Sequence, residues 1–128
     1  MKKIWLIRHA ESESSAGKRS SDPAEIPLSQ NGFEQAKNMV KKFIDPPNLV
    51  VASPYIRTQE TAAPLLKKYS DVPIEQWKVH EFTFPYPSIC QNTTQVERLP
   101  MVIKYWEECD LAYCDGQGTE SFIQLKLE

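Results

Sequence analysis

Two hydrophobic periods take turns along the chain. Residues 2–8 read as a short β-rich strand whose apolar run, 4–7, ends abruptly in Arg8 and His9. The stretch 12–27, with Gly, Pro and many serines, reads as loop. The string L-S-Q-N-G-F-E-Q-A-K-N-M-V-K-K-F-I then places Phe33, Ala36, Val40 and Phe43 at 3-4-3 spacing, which predicts an amphipathic helix with Ser29 as N-cap. Asp45, Pro46 and Pro47 stop it. Residues 49–52 predict a second short strand. Ser53-Pro54 suits the N-cap and first position of a second helix reaching Tyr69, with a kink expected at Pro64. Further on, 73–79 predicts a third strand, 81–92 a proline-bearing loop, and 99–109 a helix with Leu99, Val102 or Ile103, and Trp106 on one face. Gly116, Gln117 and Gly118 predict a turn before a last amphipathic segment, 120–127.

This alternation predicts an α/β fold, a three-layer α/β/α sandwich whose mainly parallel sheet is joined by right-handed crossovers. In such sheets ligands bind outside the carboxyl ends of the strands. That rule gives Arg8 and His9 a reason to sit where the first strand stops, and it sets Ser53, Tyr55 and Arg57 just past the end of the second. Two arginines, a histidine and several hydroxyls on one sheet edge have the chemistry of an anion site. Guanidinium forks pair with phosphate or carboxylate, and a helix N-terminus adds partial positive charge.

Composition narrows the partners. With 128 residues, 41% hydrophobic and 25% charged, the chain reads as one globular domain spanning 1–128. Fifteen Lys+Arg against seventeen Asp+Glu give a formal charge of -2, so no electrostatic footprint for nucleic acid or an anionic membrane is expected. The apolar run 4–7 is too short for a signal-peptide core or a membrane span. Three cysteines without a CxxC, beside only two histidines, argue against a disulfide framework or a zinc site, and a reduced, cytoplasmic setting fits. Four glycines and no GxGxxG weigh against an unrelated flavodoxin-like ligand domain.

Three stretches carry a more specific signal. L-I-R-H-A-E-S resembles the Arg-His-Gly/Ala segment of the histidine phosphatase superfamily, the phosphoglycerate mutase-like proteins. P-L-S-Q-N-G-F-E-Q-A, 27–36, resembles that family's entry into its first helix. A-S-P-Y-I-R-T-Q-E-T-A, 52–62, is similar to its Ser-Pro-Leu-x-Arg-Ala-x-Gln-Thr-Ala segment. The tripeptide R-H-A occurs by chance in many chains; three motifs in the family's order and near its spacings do not.

The resemblance implies a phosphoglycerate mutase-like fold and a phosphatase acting on a phosphorylated small molecule or phosphoprotein, with no metal or cofactor. It implies His9 as the nucleophile that is transiently phosphorylated; neutral imidazole, with an ordinary pKa of about 6.5, is competent near pH 7. Arg8 and Arg57 would hold the phosphoryl oxygens. Ser15 stands where relatives often carry an Asn that bonds the phosphate, and its hydroxyl can still donate. Glu81 matches the general acid, for which Phe82 and Phe84 would supply desolvation. His80, beside it, is read as a loop or strand-end residue rather than a catalytic one. Relatives place a second catalytic histidine downstream, in a strand that runs beside the first. This sequence contains none, so the fold is expected to be C-terminally incomplete relative to the family. That departure keeps two alternatives beside hydrolysis: mutase-type phosphotransfer, and an inactive phosphate-binding relative. Filling the sheet with a partner chain would make self-association the expectation.

Overall fold

The computed structural model describes residues 2–79, 90–114, 116 and 119–121. Its first helix, α1 (Gln30–Val40), starts as the sequence predicts, with the Ser29 hydroxyl accepting from the Gly32 N–H at 3.0 Å. Ala36 and Val40 are buried as predicted, and so is Phe43 just past the helix, but Gly32 takes the place expected of Phe33, which is left exposed. Gly32 is the reason. A Cβ there would lie 2.0 Å from the Glu11 carbonyl oxygen, and only glycine lets the loop backbone settle so close to the helix.

Past α1 the chain forms β1 (Val50–Ala52), α2 (Ile56–Lys68) and β2 (Ile74–Gln76). The two strands pair in parallel, with Val50 opposite Ile74 and Ala52 opposite Gln76, and α2 is the crossover between them. The α/β class and the parallel pairing agree with the sequence. Tyr55, not Ser53, is the N-cap of α2. Ser53 is used ahead of the helix: its Oγ pairs with the Thr58 hydroxyl at 2.9 Å, and its carbonyl accepts from the Gln59 amide at 2.5 Å. The helix continues through Pro64 to Lys68.

Val40, Phe43 and Leu65 form the core between α1 and α2, with Met39, Val50 and Tyr69 packed against it. Lys68 Nζ and the Tyr69 hydroxyl both donate to the Phe43 carbonyl, at 2.9 and 3.0 Å, and so satisfy a carbonyl of the turn that follows α1.

Two expectations need correction. Residues 2–8 form no strand: among the described residues, none of them joins a ladder. Ile4 and Leu6 are 87% and 96% exposed, although the Trp5 ring stacks 5.2 Å from that of Phe43. Four consecutive apolar residues suit a strand covered on both faces and paired on both edges. The described residues supply only β1 and β2 as sheet, and a two-stranded ladder is marginal by itself. The last helix among the described residues, α3 (Gln95–Glu108), begins four residues before the predicted 99. Thr94 and Glu97 form a reciprocal capping box there, with the Thr94 N–H donating to Glu97 Oε2 at 2.8 Å and the Glu97 N–H to Thr94 Oγ1 at 3.2 Å. No residue of α3 is buried. Most of the predicted loop 81–92, and the segment from 122 onward, lie outside the described residues. Among those described, no helix is long and apolar enough to cross a membrane.

Candidate active site

His9 follows a segment without strand pairing, yet its position is set from three sides. The N–H of Ala10, immediately after it, donates to the buried Thr61 hydroxyl on α2 at 3.0 Å, and that hydroxyl donates in turn to the Arg57 carbonyl at 2.7 Å. The next N–H, that of Glu11, donates to Gln35 Oε1 on α1 at 2.9 Å. The Glu11 carbonyl accepts from the Ser29 N–H at 2.9 Å, and its carboxylate accepts from the Ser29 hydroxyl at 2.5 Å. The Leu28 N–H, at the start of the second motif, donates to Glu60 Oε2 of the third at 2.7 Å. The three motifs are therefore one assembly. Their polar residues satisfy the backbone groups of a loop that passes close over two helices.

The geometry at the imidazole fixes its chemistry. His9 Nδ1 lies 2.7 Å from the Ala10 carbonyl oxygen. A carbonyl only accepts, so Nδ1 carries the ring hydrogen and Nε2 presents its lone pair. Arg57 Nε donates to that nitrogen at 3.2 Å. Arg57 itself is 5% exposed; its Nη1 donates to the Pro23 carbonyl at 2.5 Å, and its guanidinium carbon sits 4.7 Å from the Tyr55 ring centroid. Pro23 opens a short 3-10 turn, Pro23–Glu25, which Asp22 caps by accepting from the Ala24 N–H at 2.8 Å. That turn lays the serine-rich loop over the start of α2. The result is a buried guanidinium aimed at an imidazole lone pair, a place where an electrophilic centre can be attacked and the negative charge on its oxygens offset.

Of the residues singled out in the sequence, the fold brings His9 and Arg57 together. Arg8 is exposed, and no hydrogen bond or ion pair engages its side chain among the described residues. Ser15 is exposed on a turn in which its N–H and its hydroxyl both meet Ser12 Oγ, at 3.1 and 3.0 Å. Glu81 and His80 lie outside the described residues. Sequence reasoning missed the supports: Thr61, Gln35 and Glu60 belong to the quoted motifs, but only the close approach of loop to helix reveals that they hold backbone groups. Among the described residues, no group of three or more His, Cys, Asp or Glu side chains gathers as a metal-ligand set.

A family model, the histidine phosphatase superfamily (branch 1), matches residues 4–125. The chain belongs to this superfamily. Among solved structures, the chain resembles an Escherichia coli protein provisionally assigned as an alpha-ribazole-5'-P phosphatase, at 24% identity and a TM-score of 0.70 over 96% of its length and 61% of that protein's. The alpha-ribazole phosphatase from Shigella flexneri is 26% identical with a TM-score of 0.68, over 93% of this chain and 59% of the other. A phosphoserine phosphatase from Entamoeba histolytica, solved with 3-phosphoglyceric acid, is 22% identical with a TM-score of 0.61, over 88% and 55%. The chain thus spans 55 to 61% of the length of these structures. No curated protein matches it.

Proposed function

We propose that this chain carries the phosphoryl-accepting part of a phosphomonoesterase site, with His9 as nucleophile. The observation that supports this best is the arrangement at Nε2: the Ala10 carbonyl keeps the ring hydrogen on Nδ1, and a buried guanidinium stands 3.2 Å from the opposite nitrogen. In the first step the Nε2 lone pair forms a bond to phosphorus, the bond from phosphorus to the leaving oxygen breaks, and that oxygen takes a proton from an acid, the role expected of Glu81. Arg57, moving its N–H from the imidazole to a phosphoryl oxygen, offsets the charge that builds on the group, and Arg8 at the open side adds a second cation. In the second step water attacks phosphorus and gives its proton to the carboxylate that the acid became in the first step, the P–N bond breaks with its electron pair returning to Nε2, and inorganic phosphate leaves. The Shigella flexneri relative is by name an alpha-ribazole phosphatase, which favours a phosphomonoester as substrate class.

The test is to incubate the chain and its His9→Ala variant with acetyl phosphate, quench in alkali, and record intact mass. An acid-labile gain of one phosphoryl group that requires His9 is expected. A folded chain with no adduct would overturn the nucleophile assignment and leave an anion-binding relative.

A further inference from the structure

Arg19 and Arg98 flank the junction between the serine-rich loop and the start of α3, and they are satisfied in different ways. Arg19 is neutralised: its Nη2 meets Glu97 Oε1 at 2.6 Å, and its Nη1 donates to the Asn92 carbonyl at 2.5 Å. Arg98 meets hydroxyls. Its Nη2 reaches Ser14 Oγ at 3.2 Å and Ser20 Oγ at 3.5 Å, while Nη1 reaches Ser20 Oγ at 3.4 Å and Thr93 Oγ1 at 3.3 Å. Among the described residues no carboxylate forms an ion pair with Arg98.

Arg98 is half-buried, and Ser14 is 4% exposed. A guanidinium removed from water gains little from contacts at the long end of the hydrogen-bond range, and a hydroxyl does not cancel its charge. The cluster is nevertheless built. An antiparallel bridge between Ser20 and Thr93, with N–H to O distances of 2.9 and 3.1 Å, ties the loop to the segment before α3. The Thr93 hydroxyl gives its hydrogen to the Cys90 carbonyl at 2.7 Å. Ser14 Oγ accepts from Arg98 and from the Ser20 hydroxyl at 3.4 Å, which leaves its own hydrogen for another acceptor. Among the described residues the cluster has no negative partner.

We infer that Arg98, set among Ser14, Ser20 and Thr93, is an oxyanion subsite separate from the His9–Arg57 pair, and that it takes a second acidic group, carboxylate or phosphate, of the substrate. Ser14 is five residues from His9, so even an extended chain would separate them by at most about 17 Å. The Ser12–Ser15 turn shortens that span. Assigning the ligand to the substrate rests on the phosphatase reading; oxyanion binding at Arg98 does not.

The test is an NMR titration of the isotope-labelled full chain with sodium sulfate, against sodium chloride at matched ionic strength. Saturable shifts of the Arg98 Nε–H and of the Ser14 and Ser20 amides are expected in the parent and in His9→Ala, with affinity at the two amides at least about tenfold weaker in Arg98→Gln. If Arg98→Gln does not fold, Ser20→Ala takes its place, with the Arg98 Nε–H read directly. Drift no larger than with chloride, or shifts that vanish in His9→Ala, would overturn the subsite. Phosphoglycolate, which carries both acidic groups, then assigns the source. Half-saturation of the His9 ring and of Arg98 at one concentration supports a substrate subsite, and movement at Arg98 with His9 unmoved refutes it. A saturable Arg98 shift beside a failed phosphoryl trap would reject the phosphatase reading while leaving oxyanion binding intact.

Discussion

Leu65 and Leu99 are both leucines on amphipathic helices, and the fold treats them oppositely. Leu65 on α2 is 4% exposed between α1 and β1, whereas Leu99 on α3 is 51% exposed. The difference extends to their surroundings. The loop, α1 and α2 are joined by side chains that satisfy passing backbone groups, at Thr61, Gln35, Ser29 and Glu60. α3 is held to the loop at its first turn, through Arg19–Glu97 and the Arg98 hydroxyl cluster, and buries no residue of its own. Apolar periodicity states that a helix has a face to bury, but not that anything arrives to bury it.

The sharpest way to break this contrast is to truncate both leucines. Leu65→Ala should lower stability by about 3 kcal/mol in urea denaturation, since it removes a buried side chain and leaves a cavity in a small core. Leu99→Ala should cost about 0.5 kcal/mol or less, as for an exposed position. Equal losses would mean that the α3 face is covered in solution and that the two regions share one core.

A smaller effect tests whether the tethers serve the candidate site as well as the fold. Thr61→Val keeps the shape of the side chain but strands the Ala10 N–H, and should cost about 2 kcal/mol. Because that N–H positions the residue next to His9, phosphorylation in the trapping experiment should slow roughly ten- to hundredfold. Thr61→Ser restores the hydroxyl and should recover most of both. A Thr61→Val chain that loses stability but traps phosphate at the parental rate would separate the tether from the chemistry.

How much could be read in advance follows the same division. The α/β class with a parallel sheet, the Ser29 cap, and the meeting of His9 with Arg57 were legible, because each depends on local pattern or on motifs whose order is informative. The strand at 2–8 was misread, since four apolar residues specify a buried strand only when sheet partners and covering layers are at hand. The buried face of α1 was legible at Ala36, Val40 and Phe43 but not at its first position, because Gly32 carries no apolar signal although a close backbone approach depends on it. The start of α3 was legible in Thr94 and Glu97 but was masked by the stronger apolar spacing from Leu99. Arg98 left no trace in the sequence, since its hydroxyl partners come from residues 14, 20 and 93.

The subtlest expected effect concerns the latch of α3. The Thr94 backbone N–H, together with Arg19, holds the Glu97 carboxyl below its ordinary value of 4.5. A folded-state value lowered in this way adds stability that is present in full above the unfolded value and is lost as the pH falls through the folded one. The first turn of α3 should therefore loosen below about pH 4.5, before the α1–α2 core yields, because no carboxylate lies within the Val40, Phe43 and Leu65 cluster. Amide hydrogen exchange at residues 94–98, followed against pH, measures this directly. Glu97→Gln should flatten that dependence while leaving exchange around Leu65 unchanged. The same pH midpoint in parent and variant would mean that another acid controls the latch, and that the polar junction is no weaker than the packed one.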